Sequence, residues 1–207
     1  MDKHVFVAAT NNAGKLKEIR DILAAAGFGC ISMAEAGLAL EPEEAGATFS
    51  ANALIKARAV CAACGQPAIA DDSGLCVEAL GGRPGIFSAR YAGEDKDSEA
   101  NVNKLLAELE GLPFSRRRAR FVAAVCAVFP DGKEICAHGW CEGFIGPERR
   151  GAGGFGYDPV FWQKGNHSFA ELSETRKNQI SHRGRALRKL MFKLVAGCRL
   201  PVARKDV

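Results

Sequence analysis

Phe121-Val-Ala-Ala-Val-Cys-Ala-Val-Phe129, followed by Asp131-Gly132 and then by Ile135 to Ile145, is the stretch on which the fold turns. Its first part is rich in Val and Phe and reads as a central strand, because branched and aromatic side chains suit a pleated, buried surface. Asp131-Gly132 is a hairpin signal, so 135–145 returns as an antiparallel partner. On the N-terminal side, Pro67-Ala-Ile-Ala70 reads as a buried strand ending at Asp71, and Val5 to Ala9 as another. Helical spacing separates them: Leu16, Ile19, Leu23 and Ala26 in one segment, and Phe49, Ala53, Ala57, Val60 and Cys64 in a second capped by Thr48. Ser98 to Glu110 predicts a third helix, Val160 to Trp162 a short strand, and Ser181 to Ala196 a last helix with Leu187, Leu190, Met191 and Leu194 inward. This order predicts an α/β protein, a long, twisted, mixed sheet with flanking helices, as a single domain over 1–207.

At 207 residues, with 47% hydrophobic and 25% charged, the chain has the balance of a globular protein that needs no staples. The net charge of +4 suits an anionic substrate and is low for a nucleic-acid-binding module. No apolar run approaches the roughly 20 residues of a spanning helix, and Met1-Asp2-Lys3-His4 leads straight into a strand without a secretory signal. No membrane or nucleic-acid partner is expected. A reducing cytoplasm is the expected location, so the eight cysteines are expected as small buried hydrophobes rather than disulfides. Cys61-Ala-Ala-Cys64 lies in a predicted helix without the second pair that a zinc site requires.

Five segments carry possible chemistry. Asp71-Asp72-Ser73-Gly74 places two adjacent carboxylates at a strand end. Such a pair reads as hard oxygen ligands for Mg²⁺ or as an Asx-type turn of solvated acids. Thr10-Asn11-Asn12-Ala13-Gly14-Lys15 joins a strand to a helix N-terminus, where N–H groups and the helix dipole favour an anion. It is not a Walker A loop, since Leu16 stands where Ser or Thr is required. Asn52 and Lys56 share a helix face, which suits either a ligand or solvent. Gly151 to Gly156 fits G-x-G-x-x-G, but Tyr157-Asp158-Pro159 follows where a dinucleotide fold needs a helix. That loop better serves to bring Phe155 and Asp158 to a ligand. Ser181 caps a helix whose first turn holds His182 and Arg183, cations that oppose the dipole unless they face an anion or a base edge; Lys177 lies just upstream.

In this order the segments resemble one family, the inosine/xanthosine triphosphate pyrophosphatases. The resemblance rests on Thr10–Lys15, Asn52-Ala-Leu-Ile-Lys56-Ala57, Ala70-Asp-Asp-Ser-Gly-Leu75, Gly81 to Tyr91, Gly153 to Pro159 and Ser181-His-Arg-Gly184. It implies two lobes around a central substrate cleft, hydrolysis of ITP, dITP, XTP or dXTP to the monophosphate and pyrophosphate, use of Mg²⁺, and a homodimer. It further implies that Thr10, Asn11, Asn12, Ala13, Gly14, Lys15 and Lys56 hold the triphosphate, and that Asp72 is metal ligand and general base. Glu43 is then the acidic metal partner, standing three residues before Gly46, with Glu44 the alternative. Ser73 touches substrate, and Phe155, Gly156, Tyr157, Asp158, Lys177, His182 and Arg183 surround the base. Asn11 departs from the glycine of many members, which asks asparagine to take a backbone conformation that glycine adopts freely. The rival readings are a nucleic-acid-binding module built on the basic last helix and a nucleotide kinase; the second lacks its P-loop.

Overall fold

The computed structural model describes residues 5–163 and 167–197; Met1–His4 and the basic tail beyond 197 lie outside them. The predicted hairpin is the spine of the molecule. β4 (Arg118–Val128) and β5 (Glu134–Ile145) pair antiparallel, with Phe121 opposite Cys141 and Val128 opposite Glu134. Gly132 makes the turn at a φ of 85° and donates its N–H to the Phe129 carbonyl. With β1 (Val5–Ala8), β2 (Gly29–Ser32), β3 (Ala68–Val77) and β6 (Phe161–Trp162), they form one sheet in the order β2-β1-β3-β4-β5-β6. β1 is parallel to both of its neighbours, and the other pairs are antiparallel.

Helices cover both faces of the sheet: α1 (Ala13–Ala25), α2 (Phe49–Cys64), α3 (Ser98–Glu108), α4 (Glu174–Ile180) and α5 (His182–Gly197). The period of two along β4 decides which covers what. Ala123, Val125 and Ala127 point to Ile19 and Leu23 of α1 and Leu187 and Leu190 of α5. Cys126 and Val128 point to Ala53, Ala57 and Val60 of α2. The other half of the hairpin carries Phe121 and Ile145 into a second apolar body with Leu75, Leu105, Phe161 and Phe169. The two bodies share the long β3–β4–β5 spine, and each buried Leu, Ile or Phe stabilises it by about 1.5–3 kcal/mol. Among the described residues, no helix is long and apolar enough to cross a membrane.

Three findings differ from the sequence reading. β3 does not stop at Asp71; it runs on to Val77 and pairs with β4 throughout. Gly74 therefore makes no turn. It lets the 3-10 segment Gly85–Arg90 approach, since a side chain there would collide with the Gly85 carbonyl and the Ser88 hydroxyl. β2 and α4 were not expected, being only four and seven residues long, too short for periodicity to reveal. Finally, Cys126 and Cys136 are joined as a disulfide, contrary to the expectation of free thiols. They are direct cross-strand partners in the β4–β5 ladder, which brings their Cα atoms to 4.2 Å.

Candidate active site

β1 ends at Ala8 while β3 continues, and the chain leaves β1 toward β2 on one side while β3 lies on the other. In open α/β sheets such a switch point, beyond the carboxyl end of the strand, is where ligands bind. The Thr10–Lys15 loop sits there. Asn12 caps α1, its side chain accepting from the Lys15 N–H at 2.9 Å, and the Thr10 hydroxyl accepts from the Asn12 N–H at 3.2 Å. Ala13 and Gly14 form the first turn of α1. Asn11 reaches the Leu40 carbonyl. Its backbone needs no glycine-like conformation, because Lys96 is the only non-glycine among the described residues with positive φ; the expected demand on asparagine does not arise.

The adjacent aspartates point to opposite faces of β3, as a strand requires, and find different partners. Asp71 is buried between Lys15 at 2.9 Å and Arg183 at 3.1 Å and accepts from the Ser73 hydroxyl. Burial opposes its charge, but Arg183 and Lys15 outweigh burial and hold its carboxyl far below the usual range. Asp72 accepts from Lys56 and from the Asn52 amide, each at 3.2 Å. Burial, helped by Glu44 and Asp71, pushes its carboxyl up despite Lys56 and Lys15. The pair thus divides into a permanently charged anchor and a carboxylate with more affinity for a proton.

α2 delivers Asn52 and Lys56 to this point from one face, as their spacing predicted. Lys56 also donates to Glu44 at 2.9 Å and to the Asp71 carbonyl at 3.0 Å. Burial works against its charge, yet Asp72 and Glu44 raise its pKa. Of the acidic loop, Glu44 is the residue turned to Lys56; Glu43 is exposed.

The residues expected around a base come together on the other face of β3. Phe155 lies over Gly14: a Cβ there would meet its ring at 2.5 Å, so the glycine admits the aromatic. The Lys177 ammonium is 4.5 Å and the Arg183 guanidinium 5.5 Å from the ring centroid. Asp158 fixes the loop by accepting from the Phe155 N–H at 2.8 Å and from Lys177 at 2.6 Å. Gly154 is required there, since at its φ of 73° a side chain would run into that carboxylate. Ser73 accepts from Arg183 at 2.8 Å. His182 is buried and stacks on Phe121 at 4.6 Å. Burial, then Arg183, drives its pKa well below the usual value, so it sits at the helix N-terminus as a neutral ring. Gly156 turns the loop at a φ of 60°. Tyr157 alone turns away: it is buried in the second apolar body, with its hydroxyl donating to the Ser88 carbonyl at 2.9 Å.

Sequence reasoning missed Glu18. This α1 residue is 9% exposed and pairs with Lys177 at 2.7 Å and, on its other oxygen, with Arg183. Burial opposes its charge, but the two cations outweigh it and lower its pKa. Glu18 lies one turn beyond Lys15 on the same helix face, the one signal available in the sequence.

Fold and site together define an α/β protein in which paired aspartates of β3, at a sheet switch point, join the cationic Thr10–Lys15 helix terminus to an aromatic–cation cluster around Phe155. The chain belongs to the Ham1 family, whose sequence model matches residues 6–193. It is 49% identical over 185 residues to a dITP/XTP pyrophosphatase of Bacillus subtilis (89% of this chain, 93% of that one). It is 50% identical over 186 residues to one of Desulforamulus reducens (89% and 92%). A Ham1 protein structure from Coxiella burnetii superposes with a TM-score of 0.82 at 39% identity, covering 93% of this chain and 99% of that one. The resemblance drawn from the motifs is therefore correct.

Proposed function

We propose that this protein hydrolyses non-standard purine nucleoside triphosphates, ITP, dITP, XTP and dXTP, to the nucleoside monophosphate and pyrophosphate. The observation that carries the reading is Asp72, a buried carboxylate of raised pKa held between Lys56 and Asn52 beside the Thr10–Lys15 helix terminus. The names of the relatives, dITP/XTP pyrophosphatases, support the substrate class.

The donor set fits Mg²⁺. Asp72 and the 43–44 acids offer hard oxygens, and Mg²⁺ keeps several waters, so it needs no closed cage. No three His, Cys, Asp or Glu side chains converge as a metal cage among the described residues. Asp72 would hold the ion with an acid from the loop. From that loop, Glu44, which shares Lys56 with Asp72, and the exposed Glu43 are the two candidates. When bound, Mg²⁺ neutralises phosphate oxygens and acidifies water.

In the reaction, water attacks the α-phosphorus, Asp72 accepts its proton, and the bond from that phosphorus to the bridging oxygen breaks. Lys15 and Lys56 offset the charge gathering on the departing pyrophosphate. On the base side, Lys177 and Arg183 can only donate hydrogen bonds. They match a 6-keto oxygen and oppose the 6-amino group of adenine, a mismatch of about 1–3 kcal/mol per unpaired group. Exposed Phe87, Trp140 and Phe192 leave apolar surface for the expected homodimer, and the cytoplasm, with its nucleotide pool, is the fitting compartment.

A pyrophosphate-release panel with Mg²⁺ tests the reading. dITP and XTP should turn over well and dATP poorly; orthophosphate as the product, or no preference for keto purines, would reject it.

A further inference from the structure

Asn52 lies beside Asp72, yet neither the proposed phosphate-binding loop nor the proposed base pocket uses it. It is 1% exposed, and both ends of its amide are engaged. Its Nδ2 donates to Asp72 Oδ2 at 3.2 Å, and its Oδ1 accepts from the Gly46 N–H at 2.8 Å. The orientation of the amide is not ambiguous, because a backbone N–H can only donate and an ionised carboxylate can only accept. Gly46 closes the acidic loop that carries Glu43 and Glu44. It approaches so closely that a Cβ on it would meet Asn52 Oδ1 at 2.6 Å, Ala51 Cβ at 2.8 Å and the Asn52 backbone nitrogen at 2.9 Å. Two of these three obstacles, the Ala51 Cβ and the Asn52 nitrogen, are fixed to the α2 backbone and cannot yield as a flexible side-chain tip does.

We infer that Asn52 is a positioning residue that ties two separate parts of the acidic site together: the Asp72 carboxylate on β3 and the Glu43–Gly46 loop. The physical reason is that Glu44 of the loop and Asp72, both drawn to Lys56, repel each other, and among the described residues no backbone ladder joins the loop to β3. One side chain on a capped helix, bonded to both, sets their separation. Lys56, one turn later, neutralises the Glu44 and Asp72 carboxylates that the amide aligns. The amide suits this task, as it offers a donor and an acceptor from one planar head. The inference rests on the pyrophosphatase reading for its kinetic arm but not for its structural arm.

Three variants separate the two bonds. Asn52→Ala loses both, Asn52→Asp keeps an acceptor for Gly46 but loses the donor to Asp72, and Gly46→Ala displaces the loop and leaves the Asn52–Asp72 bond. In metal-free protein, hydrogen exchange at the Gly46 amide should be slow in wild type and in Asn52→Asp, and fast in Asn52→Ala. In pyrophosphate release from dITP, both Asn52 variants should lose kcat by about 10- to 100-fold, as outer partners of metal-site groups do, with nucleotide KM held near wild type. Gly46→Ala should instead raise the Mg²⁺ concentration for half-maximal rate about 10-fold, again with KM unchanged. Equal Gly46 exchange in wild type and Asn52→Ala, or wild-type kcat in Asn52→Asp, would overturn the inference. Absence of pyrophosphate release by the wild type would instead overturn the functional reading, and the exchange measurement would still decide the tie.

Discussion

Glu18 and His182 show how burial assigns roles that residue type does not. A glutamate on an exposed-looking turn of α1 becomes the shared counter-ion of Lys177 and Arg183. Removing one partner of such a buried network strands the others, so Glu18→Gln should lower stability by roughly 3 kcal/mol in urea titration and raise KM for dITP. His182 is the opposite case, a cation-type residue kept neutral. Its folded pKa lies well below 6.5 because burial, then Arg183, disfavours the charge. The unfolded chain therefore binds a proton that the folded one refuses. Its contribution is complete above pH 6.5 and is lost as pH falls from there toward the folded value. Stability should decline by up to about 1.4 kcal/mol per pH unit in that window, and His182→Gln should flatten this slope in a pH series of urea titrations. Asp72, Lys15 and Arg183 were legible in the sequence because each sits in a short motif whose chemistry is local. Glu18 was not, because its partners lie more than 150 positions away and only the fold brings them to it.

The elements that place these residues were legible in proportion to their length. α2, with 16 residues, five apolar repeats and a threonine cap, could be read directly, and the Thr48 hydroxyl does accept from the Ala51 N–H. The hairpin of β4 and β5 announced itself through Asp131-Gly132. The end of β3 was misread because Asp-Asp-Ser-Gly is turn chemistry when its charges are solvated. Here Lys15, Lys56 and Arg183 neutralise both acids, and the strand can continue through them. The seating of α5 depends on a residue that carries no chemistry. Gly139 of β5 lies against the His182 carbonyl and the Ala186 nitrogen so closely that any Cβ would overlap them. Gly139→Ala should push the helix off the sheet, lower stability by about 1–3 kcal/mol, and reduce dITP turnover because His182 and Arg183 ride on the displaced end. A calorimetric scan beside the pyrophosphate assay checks both effects.

At the scale of the whole molecule, one sheet presents two different charge clusters on the two faces of a single strand. On one face, Asp72 lies with Lys56 and Asn52, the group proposed to meet the phosphates; on the other, Asp71 ties Lys15 to Arg183 and hence the Thr10–Lys15 loop to the Phe155 cluster. The mixed sheet and flanking helices were readable from the order of the motifs. The Cys126–Cys136 disulfide was not, since cross-strand register decides it and nothing in the spacing of eight cysteines singles out that pair. The central claim, that Asp72 is the proton acceptor, is tested most directly by the steady-state release of pyrophosphate from dITP with saturating Mg²⁺, wild type against Asp72→Asn. The account predicts a loss of kcat of about 10²- to 10⁴-fold in a variant that still unfolds cooperatively. Turnover by Asp72→Asn within a few-fold of wild type would contradict it.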